Sequence, residues 1–189
     1  SELPVKEIVK KKPDVTLFSG DKMLGGPQSG IILSSNEIIN LIKSNSIYRT
    51  VRCDKITIAL LDDIIRSFEK NGFLKTNLSL ELLTQSRTDL MITANYIVDK
   101  IPSKLIDELG IKIIESMVEA GSGSLPEKNI RSIALKFKPS KYSVNYVSDH
   151  FRRSPKPIIG YIRKESYFID LKAVLPHQKD NIVGAIKSI

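Results

Sequence analysis

The sequence predicts a mixed α/β protein without internal repeats. Short runs of β-forming residues alternate with longer segments in which apolar residues recur every three or four positions. Of the 189 residues, 41% are hydrophobic and 26% are charged, which is the balance of a globular chain rather than a disordered one. The expected order is β-β-α-α-α followed by β-β-α-β-β-α, and this length suits one domain or two small ones.

Two strands are expected to flank a glycine-rich turn near the start of the chain. Val15–Phe18 and Gly30–Leu33 consist mostly of β-forming residues, so both are predicted to be short buried strands. The turn between them contains Gly25-Gly26-Pro27, which does not belong inside a helix or a strand. Residues 1–12 resemble the end of a helix, and this abrupt start predicts a piece of a longer protein.

Helical segments follow the second strand. Asn36 and Asp54 are each expected to cap a helix, because a side-chain oxygen at this position can accept a bond from a free helix-start N–H. Pro102 interrupts the clearest apolar stripe. Asn71-Gly72 is expected to stop the second helix. The predicted helical bounds are 36–44, 54–70, 73–86 (a short helix with loops), 87–101 and 103–110.

The last hundred residues are expected to be richer in strands. Partial or full alternation of apolar residues predicts the strands, and Pro176 suits the first turn of a closing helix. Residues 121–126 are expected to form a flexible loop. The predicted strands are 111–118, 133–137, 158–162 and 167–171, with helices over 144–152 and from 176 to the C-terminus.

Charge and cysteine usage limit the classes of function. The net charge of +8 favours anionic partners such as phosphates or nucleic acid, although a lysine-rich surface also fits it. Cys53 is the only cysteine, which excludes an internal disulfide and a cysteine-cluster metal site and predicts a buried structural thiol. No apolar run approaches the roughly 20 residues of a membrane span, so we expect a cytoplasmic protein.

Lys22 is the first candidate for chemistry. It follows a predicted strand and precedes two glycines, so one side of it is sterically open. Such a lysine suits Schiff-base formation with an aldehyde, a reaction that requires a neutral amine and that burial assists. Ser19 could bind a phosphate through its hydroxyl. A surface lysine in a turn is the alternative interpretation.

Arg49 and Arg52 are the second candidate. They stand just before a predicted helix start, where guanidinium groups and free backbone N–H groups could together bind a phosphate-like anion. A pair of surface arginines is the alternative.

Four separated segments resemble the bacterial selenocysteine synthases, the L-seryl-tRNA(Sec) selenium transferase family. They occur in the family's order along nearly the whole chain, although Cys53 stands where a valine is commoner. The segments are residues 16–32 (TLFSGDKMLGGPQSGII), 49–55 (RTVRCDK), 123–127 (GSLPE), and 152–160 with Asp170-Leu171.

The resemblance implies a pyridoxal 5′-phosphate (PLP) enzyme of the aspartate-aminotransferase-like class. Lys22 is expected to bind PLP covalently, with Ser19 near its phosphate and Asp21 assisting proton transfer. Arg49 and Arg52 are expected to bind selenophosphate. In the implied reaction the β-hydroxyl of seryl-tRNA(Sec) leaves, and selenium from selenophosphate replaces it.

The resemblance also implies a domain plan. Residues 1–50 would be a remnant of the PLP-binding large domain, 51–86 connecting helices, and 87–189 a C-terminal small α+β domain. Family members are more than twice as long and form homo-oligomers, so this stretch alone is expected to bind PLP poorly.

Two other functions remain open. One is a related PLP-dependent lyase or ammonia-lyase that acts on a small amino acid or amino sugar. The other is a non-catalytic module for oligomer contacts or weak RNA binding. The two-arginine segment favours the selenium enzyme over the lyase.

Overall fold

The computed structural model describes residues 4–70, 73–119 and 130–189. The helices are α1 (Val5–Lys10), α2 (Asn36–Ser44), α3 (Tyr48–Val51), α4 (Lys55–Ser67), α5 (Phe73–Thr76), α6 (Leu78–Thr84), α7 (Arg87–Asp99), α8 (Ser103–Leu109), α9 (Val144–Arg153) and α10 (Lys179–Lys187). The strands are β1 (Val15–Ser19), β2 (Gly30–Ser34), β3 (Ile111–Val118), β4 (Ile130–Phe137), β5 (Tyr161–Arg163) and β6 (Ser166–Asp170). Two 3₁₀ turns, Leu171–Ala173 and Pro176–Gln178, precede α10.

These elements confirm the mixed α/β class and form two compact units. The first comprises the described residues up to Glu81, and the second comprises Leu82–Glu119 and residues 130–189. The three-part division at residues 50 and 86 stays a prediction. The expected stop at Asn71-Gly72 and the expected loop over 121–126 lie outside the described residues.

In the first unit, β1 and β2 form an antiparallel hairpin. Val15 pairs with Ser34 and Ser19 pairs with Gly30, so residues 20–29 are the hairpin loop. The prediction that both strands are buried is wrong: Thr16 is the one buried residue of β1, and β2 has none. The physical reason is that few elements pack on this two-stranded sheet among the described residues: α1 contacts β1 and α2 contacts β2, and most of both faces stays open.

The helices of the first unit differ from expectation at their ends. Ser35 rather than Asn36 caps α2, because the Ser35 hydroxyl accepts a hydrogen bond from the N–H of Ile38. The four-residue helix α3 was not predicted, and residues 73–84 form two helices instead of one. Asp54 caps α4 as expected.

The second unit contains a four-stranded antiparallel sheet in the order β3-β4-β6-β5. Helices α7 and α9 pack against this sheet, and α10 packs against both helices. Asp170 at the end of β6 ties three strands together, because its carboxylate accepts hydrogen bonds from Ser116 of β3 at 2.6 Å and from Ser132 of β4 at 2.5 Å. It also accepts a bond from the N–H of Lys172, which starts the first 3₁₀ turn.

The hydrophobic core of the described residues lies in this second unit. Its largest members are aromatic: the Phe151 ring lies 5.3 Å from both Phe137 and Tyr167, and it stacks on Tyr167 with an angle of 8°. The other hydrophobic side chains that are at most 2% exposed are Leu90, Ala94, Ile97, Leu109, Ile133, Ala134, Leu135, Val147, Ile169, Leu171, Ile182 and Ile186. Burial of such side chains is the main source of folding free energy.

Several predicted boundaries in this unit shift. β4 begins at Ile130, earlier than the predicted residue 133. β5 is confined to Tyr161–Arg163, because residues 158–160 form no strand pairing. The closing segment begins as a 3₁₀ turn at Pro176 and becomes the helix α10 only at Lys179.

Candidate functional site

The hairpin loop that carries Lys22 is closed by its own backbone. The N–H of Gly20 donates to the carbonyl of Ser29 at 2.9 Å, and the N–H of Gly26 donates to the carbonyl of Gly20 at 2.8 Å. Within the loop, the N–H of Gly25 donates to the carbonyl of Lys22 at 3.0 Å. Lys22 therefore begins a tight turn inside a loop of defined shape.

The glycines of this loop are required by its packing. Gly25 has a φ of +76°, and a Cβ there would lie 2.6 Å from the side-chain nitrogen of Asn77. A Cβ on Gly20 would lie 2.2 Å from Oγ of Ser29. At both Gly20 and Gly26, Cδ2 of Leu61 from α4 would be 3.1 Å away. The loop thus packs closely against α4 without space for side chains.

Asn77 is a residue of this site that the sequence interpretation missed. It is 9% exposed, and its side-chain amide donates to the carbonyl of Leu24 at 2.8 Å. Its carbonyl oxygen accepts a bond from the N–H of Leu80 at the start of α6. Asn77 therefore joins the lysine loop to a helix more than fifty residues away. The only sequence signal is an asparagine before a helix, which predicts a cap and says nothing of the loop.

Lys22 and Asp21 are brought together, with Nζ 3.6 Å from Oδ2. The Lys22 side chain is 41% exposed, so the burial that would assist Schiff-base chemistry is not provided by the described residues. Ser19 ends β1, two residues before Asp21, and is exposed.

Arg49 lies inside α3, and Arg52 is its C-terminal cap residue; both are exposed. Within the described part of the chain, no hydrogen bond or ion pair joins either arginine to Lys22, Asp21 or Ser19.

The expected free N–H groups at the start of α4 are not free, so that part of the anion-site prediction is wrong. The Asp54 carboxylate accepts bonds from the N–H groups of Ile56 at 2.7 Å and Thr57 at 2.9 Å. These bonds, together with one from the Thr57 hydroxyl, lower the pKa of Asp54. Because a carboxylate already occupies the helix start, an anion near α4 would depend on the guanidinium groups.

Other kinds of site find less support in the described residues. Cys53 is half-buried, not fully buried as expected, and forms no disulfide. Across residues 4–70, 73–119 and 130–189, no group of three or more metal-ligating side chains is placed to hold a metal ion. No helix in the same ranges has the length and apolar character needed to cross a membrane.

A family model and the curated relatives of this chain point to the same family. The model of the family described as L-seryl-tRNA selenium transferase matches residues 1–175. The chain is 33% identical over 189 residues to the L-seryl-tRNA(Sec) selenium transferase of Desulfotalea psychrophila and covers 40% of that protein. It is 34% identical over 178 residues to the enzyme of the same name from Proteus mirabilis, covering 92% of this chain and 38% of the relative. The chain thus spans about two fifths of the length of these relatives.

A solved structure of a D-glucosaminate-6-phosphate ammonia-lyase is similar in fold. It matches 95% of this chain and 44% of its own chain, with a TM-score of 0.57 and 15% sequence identity. Identity this low supports the fold alone. The family match over residues 1–175, together with the whole-chain similarity to the curated relatives, shows that this chain belongs to the L-seryl-tRNA selenium transferase family.

Proposed function

We propose that this chain is the lysine-bearing part of an enzyme that converts seryl-tRNA(Sec) to selenocysteinyl-tRNA(Sec), with Lys22 as the lysine that binds PLP. The observation that carries the proposal is the loop itself. Its glycines pack without side chains against α4, and it presents an accessible amine beside a carboxylate in a member of this family. Selenophosphate is the proposed selenium donor.

The residues present fit one part of a PLP site. Lys22 forms no hydrogen bond to a described residue, so its amine is available to an aldehyde, and the closed loop limits the positions that it can reach. When bound, PLP would draw electron density from Cα of the serine and so assist loss of its hydroxyl. Ser19 is proposed to donate its hydroxyl to the cofactor phosphate.

Asp21 is proposed to handle protons next to Lys22. At 3.6 Å, a small rotation of either side chain brings the carboxylate into hydrogen-bond distance of the amine. From there, Asp21 can accept a proton from the Lys22 amine and return it, which is the exchange that repeated attachment and release of the lysine requires.

Arg49 and Arg52 are proposed to bind selenophosphate through their guanidinium groups. Both are exposed, Arg49 within the four-residue helix α3 and Arg52 as its C-terminal cap residue, and the Asp54 carboxylate occupies the start of α4. Planar guanidinium groups can donate two parallel hydrogen bonds to a phosphate-like oxyanion, so a pair of them is sufficient to attract it.

The finer architecture is part of the same proposal. The lysine-bearing unit would correspond to part of the large domain of an aspartate-aminotransferase-like enzyme, and the second unit to its C-terminal small domain. The complete enzyme would form a homo-oligomer. The ammonia-lyase alternative gains nothing from the solved structure, since 15% identity indicates fold and not substrate.

The test is covalent labelling of the lysine. The protein is incubated with PLP, reduced with borohydride, and digested, and the modified peptide is identified by mass spectrometry. Because this stretch alone is expected to bind PLP poorly, the total label should be low. If the loop positions Lys22 as proposed, that label concentrates on the peptide that contains Lys22, and Lys22→Arg removes it while retaining the positive charge.

Lys55→Arg is the matched control, because Lys55 is also an exposed lysine of the first unit. This variant should retain the label on Lys22. Equal labelling of Lys22, Lys55 and other exposed lysines would show that the loop confers no selectivity and would overturn the assignment of Lys22.

A further inference from the structure

A column of three aromatic rings runs from just before α9 along its first two turns in the second unit. The rings of Tyr142 and Tyr146 are stacked with centroids 5.2 Å apart and an angle of 13°. His150 continues the column, 6.5 Å from Tyr146 at an angle of 29°. Tyr146 and His150 are four residues apart and so lie on one face of α9, whereas Tyr142 stands two residues before the helix begins. Tyr146 is 48% exposed, so part of this column faces solvent.

The orientation of His150 is held from the neighbouring helix. Its Nε2 lies 3.0 Å from the carbonyl oxygen of Ala185 and 3.1 Å from Oγ of Ser188, both near the end of α10. Because a carbonyl oxygen only accepts, the bond to Ala185 forms in the tautomer that carries the proton on Nε2. The last ring of the column therefore has a defined position.

A cavity of about 440 Å³ opens beside the column. Its walls combine the rings of Tyr146 and His150 with charged and hydroxyl groups from Asp149, Arg153 and Ser188. This volume lies within the range of small-molecule sites, which is roughly 300 to 1,000 Å³. An apolar ring surface beside a few polar groups is suited to a flat heteroaromatic ligand that carries a charge.

The cavity wall carries one positive side chain, Arg153, and one negative side chain, Asp149, and further basic residues stand in the adjoining helix ends. The last turn of α9 holds Arg152 and Arg153 beside His150, and the last turn of α10 holds Lys187. No carboxylate among the described residues forms an ion pair with Arg153. Asp149 is the acidic residue of the cavity wall. A ligand with a negative group and a base-like ring would meet both kinds of surface.

We propose that this cavity binds an unpaired nucleotide of an RNA chain. The base stacks against Tyr146 and His150, its phosphate pairs with Arg153, and Asp149 accepts a hydrogen bond from an amino group of the base. Aromatic side chains next to arginine are the common means of holding unpaired bases. The choice of RNA over a free nucleotide rests on the proposed function, which requires an RNA substrate.

The test measures binding of a fluorescently labelled single-stranded RNA of about ten nucleotides to the full chain by anisotropy, without PLP. Tyr146→Ala should weaken binding about tenfold, because stacking of one base on an aromatic ring corresponds to roughly a five- to hundredfold change. Tyr146→Phe retains the ring and should restore affinity to within about twofold. Because Tyr146 is half exposed, both variants are expected to fold, which circular dichroism checks.

Arg153→Gln and Arg152→Gln form the matched pair for charge. Both remove one positive charge from the same helix turn, but only Arg153 lines the cavity. Arg153→Gln should lower affinity more and reduce the slope of log K against log salt by about 0.7. If Arg153→Gln and Arg152→Gln lower the affinity equally and Tyr146→Ala leaves it unchanged, RNA binding is due to non-specific charge attraction. That result would overturn the proposal.

Two competitors complete the experiment. A duplex RNA should compete poorly, because its bases are not free to stack, and adenosine monophosphate should compete only weakly, because it lacks the neighbouring phosphates. Equal competition by the duplex, or absence of RNA binding, would overturn the proposal. Tyr146→Ala should leave borohydride labelling of Lys22 unchanged, so failure of this site and failure of the proposed function give different results.

Discussion

Gly110 ends α8 in a conformation that favours glycine. Its φ is +57°, and its N–H donates to the carbonyl of Asp107. A Cβ at this position would lie 2.3 Å from the carbonyl oxygen of Lys138, an atom of the backbone that cannot easily move. Gly184, in contrast, lies inside α10 with nothing within 4 Å of such a Cβ. The backbone at Gly110 therefore requires glycine, whereas the position of Gly184 has space for a larger residue.

We predict opposite effects of alanine at these two positions. Gly110→Ala should lower the free energy of unfolding by about 2 to 4 kcal/mol, because it combines a left-handed backbone with a backbone clash. Gly184→Ala should raise it by about 0.5 to 1 kcal/mol, because alanine is the better helix former and has space. Urea denaturation of both variants measures this. A similar change at the two sites would show that the local backbone geometry is not the cause.

At this scale the sequence predicted some site residues better than others. Lys22 and its glycines could be identified because turn residues and a following strand are adjacent in the chain. Asn77 could not, since its hydrogen bond to the carbonyl of Leu24 depends on how α6 packs against the loop. The occupied N–H groups at Asp54 could have been foreseen, because a capping carboxylate and a free anion site compete for the same donors.

The start of α7 is the best-defined helix end of the second unit. Ser86 and Asp89 form a capping box: the Ser86 hydroxyl accepts from the N–H of Asp89, and the Asp89 carboxylate accepts from the N–H of Ser86. The hydrogen bonds from the Ser86 side chain and backbone lower the pKa of Asp89 below its ordinary value of 3.8. A carboxyl group with a lowered pKa in the folded state stabilises that state when ionised.

This capping box predicts a pH dependence of stability. The contribution of Asp89 is present above the pKa of the unfolded chain and is lost as the pH falls through the lower pKa of the folded state. Asp89→Asn should therefore reduce the drop in melting temperature between about pH 6 and about pH 2.5. Asp99→Asn, at the other end of the same helix, is the control. An identical drop in both variants would contradict a role for the cap.

Elements were predicted well where periodicity decides them and less well where packing does. The stripe of α7 places Leu90, Ala94 and Ile97 in the core as its spacing indicates. The apolar runs of β1 and β2 predicted the right strands but the wrong burial, since a run of apolar residues does not reveal which elements pack on the faces of its sheet. The short helix α3 carries too few residues for any period to be visible.

At the scale of the whole molecule, the two units differ in their content of buried apolar side chains. All of the fully or nearly fully buried hydrophobic residues among the described residues lie between Leu90 and Ile186. The first unit instead exposes large apolar side chains, including Leu17 at 69%, Val51 at 71% and Ile56 at 73%. Hydrophobic burial is the dominant favourable term in folding, so the side chains of the second unit provide most of the free energy that stabilises the folded chain.

We therefore predict that residues 82–189 fold as an independent domain. This polypeptide should unfold cooperatively, with a melting temperature within about 10 °C of the full chain, because it keeps the complete core of α7, β4, α9, β6 and α10. Residues 1–81 alone should show no cooperative transition. Circular dichroism melts and urea titrations of the three chains make the comparison, and the urea m-value of residues 82–189 should approach that of the full chain, since the same core becomes exposed. A cooperative transition in residues 1–81, or its loss from residues 82–189, would show that stability depends on both units and not on this core.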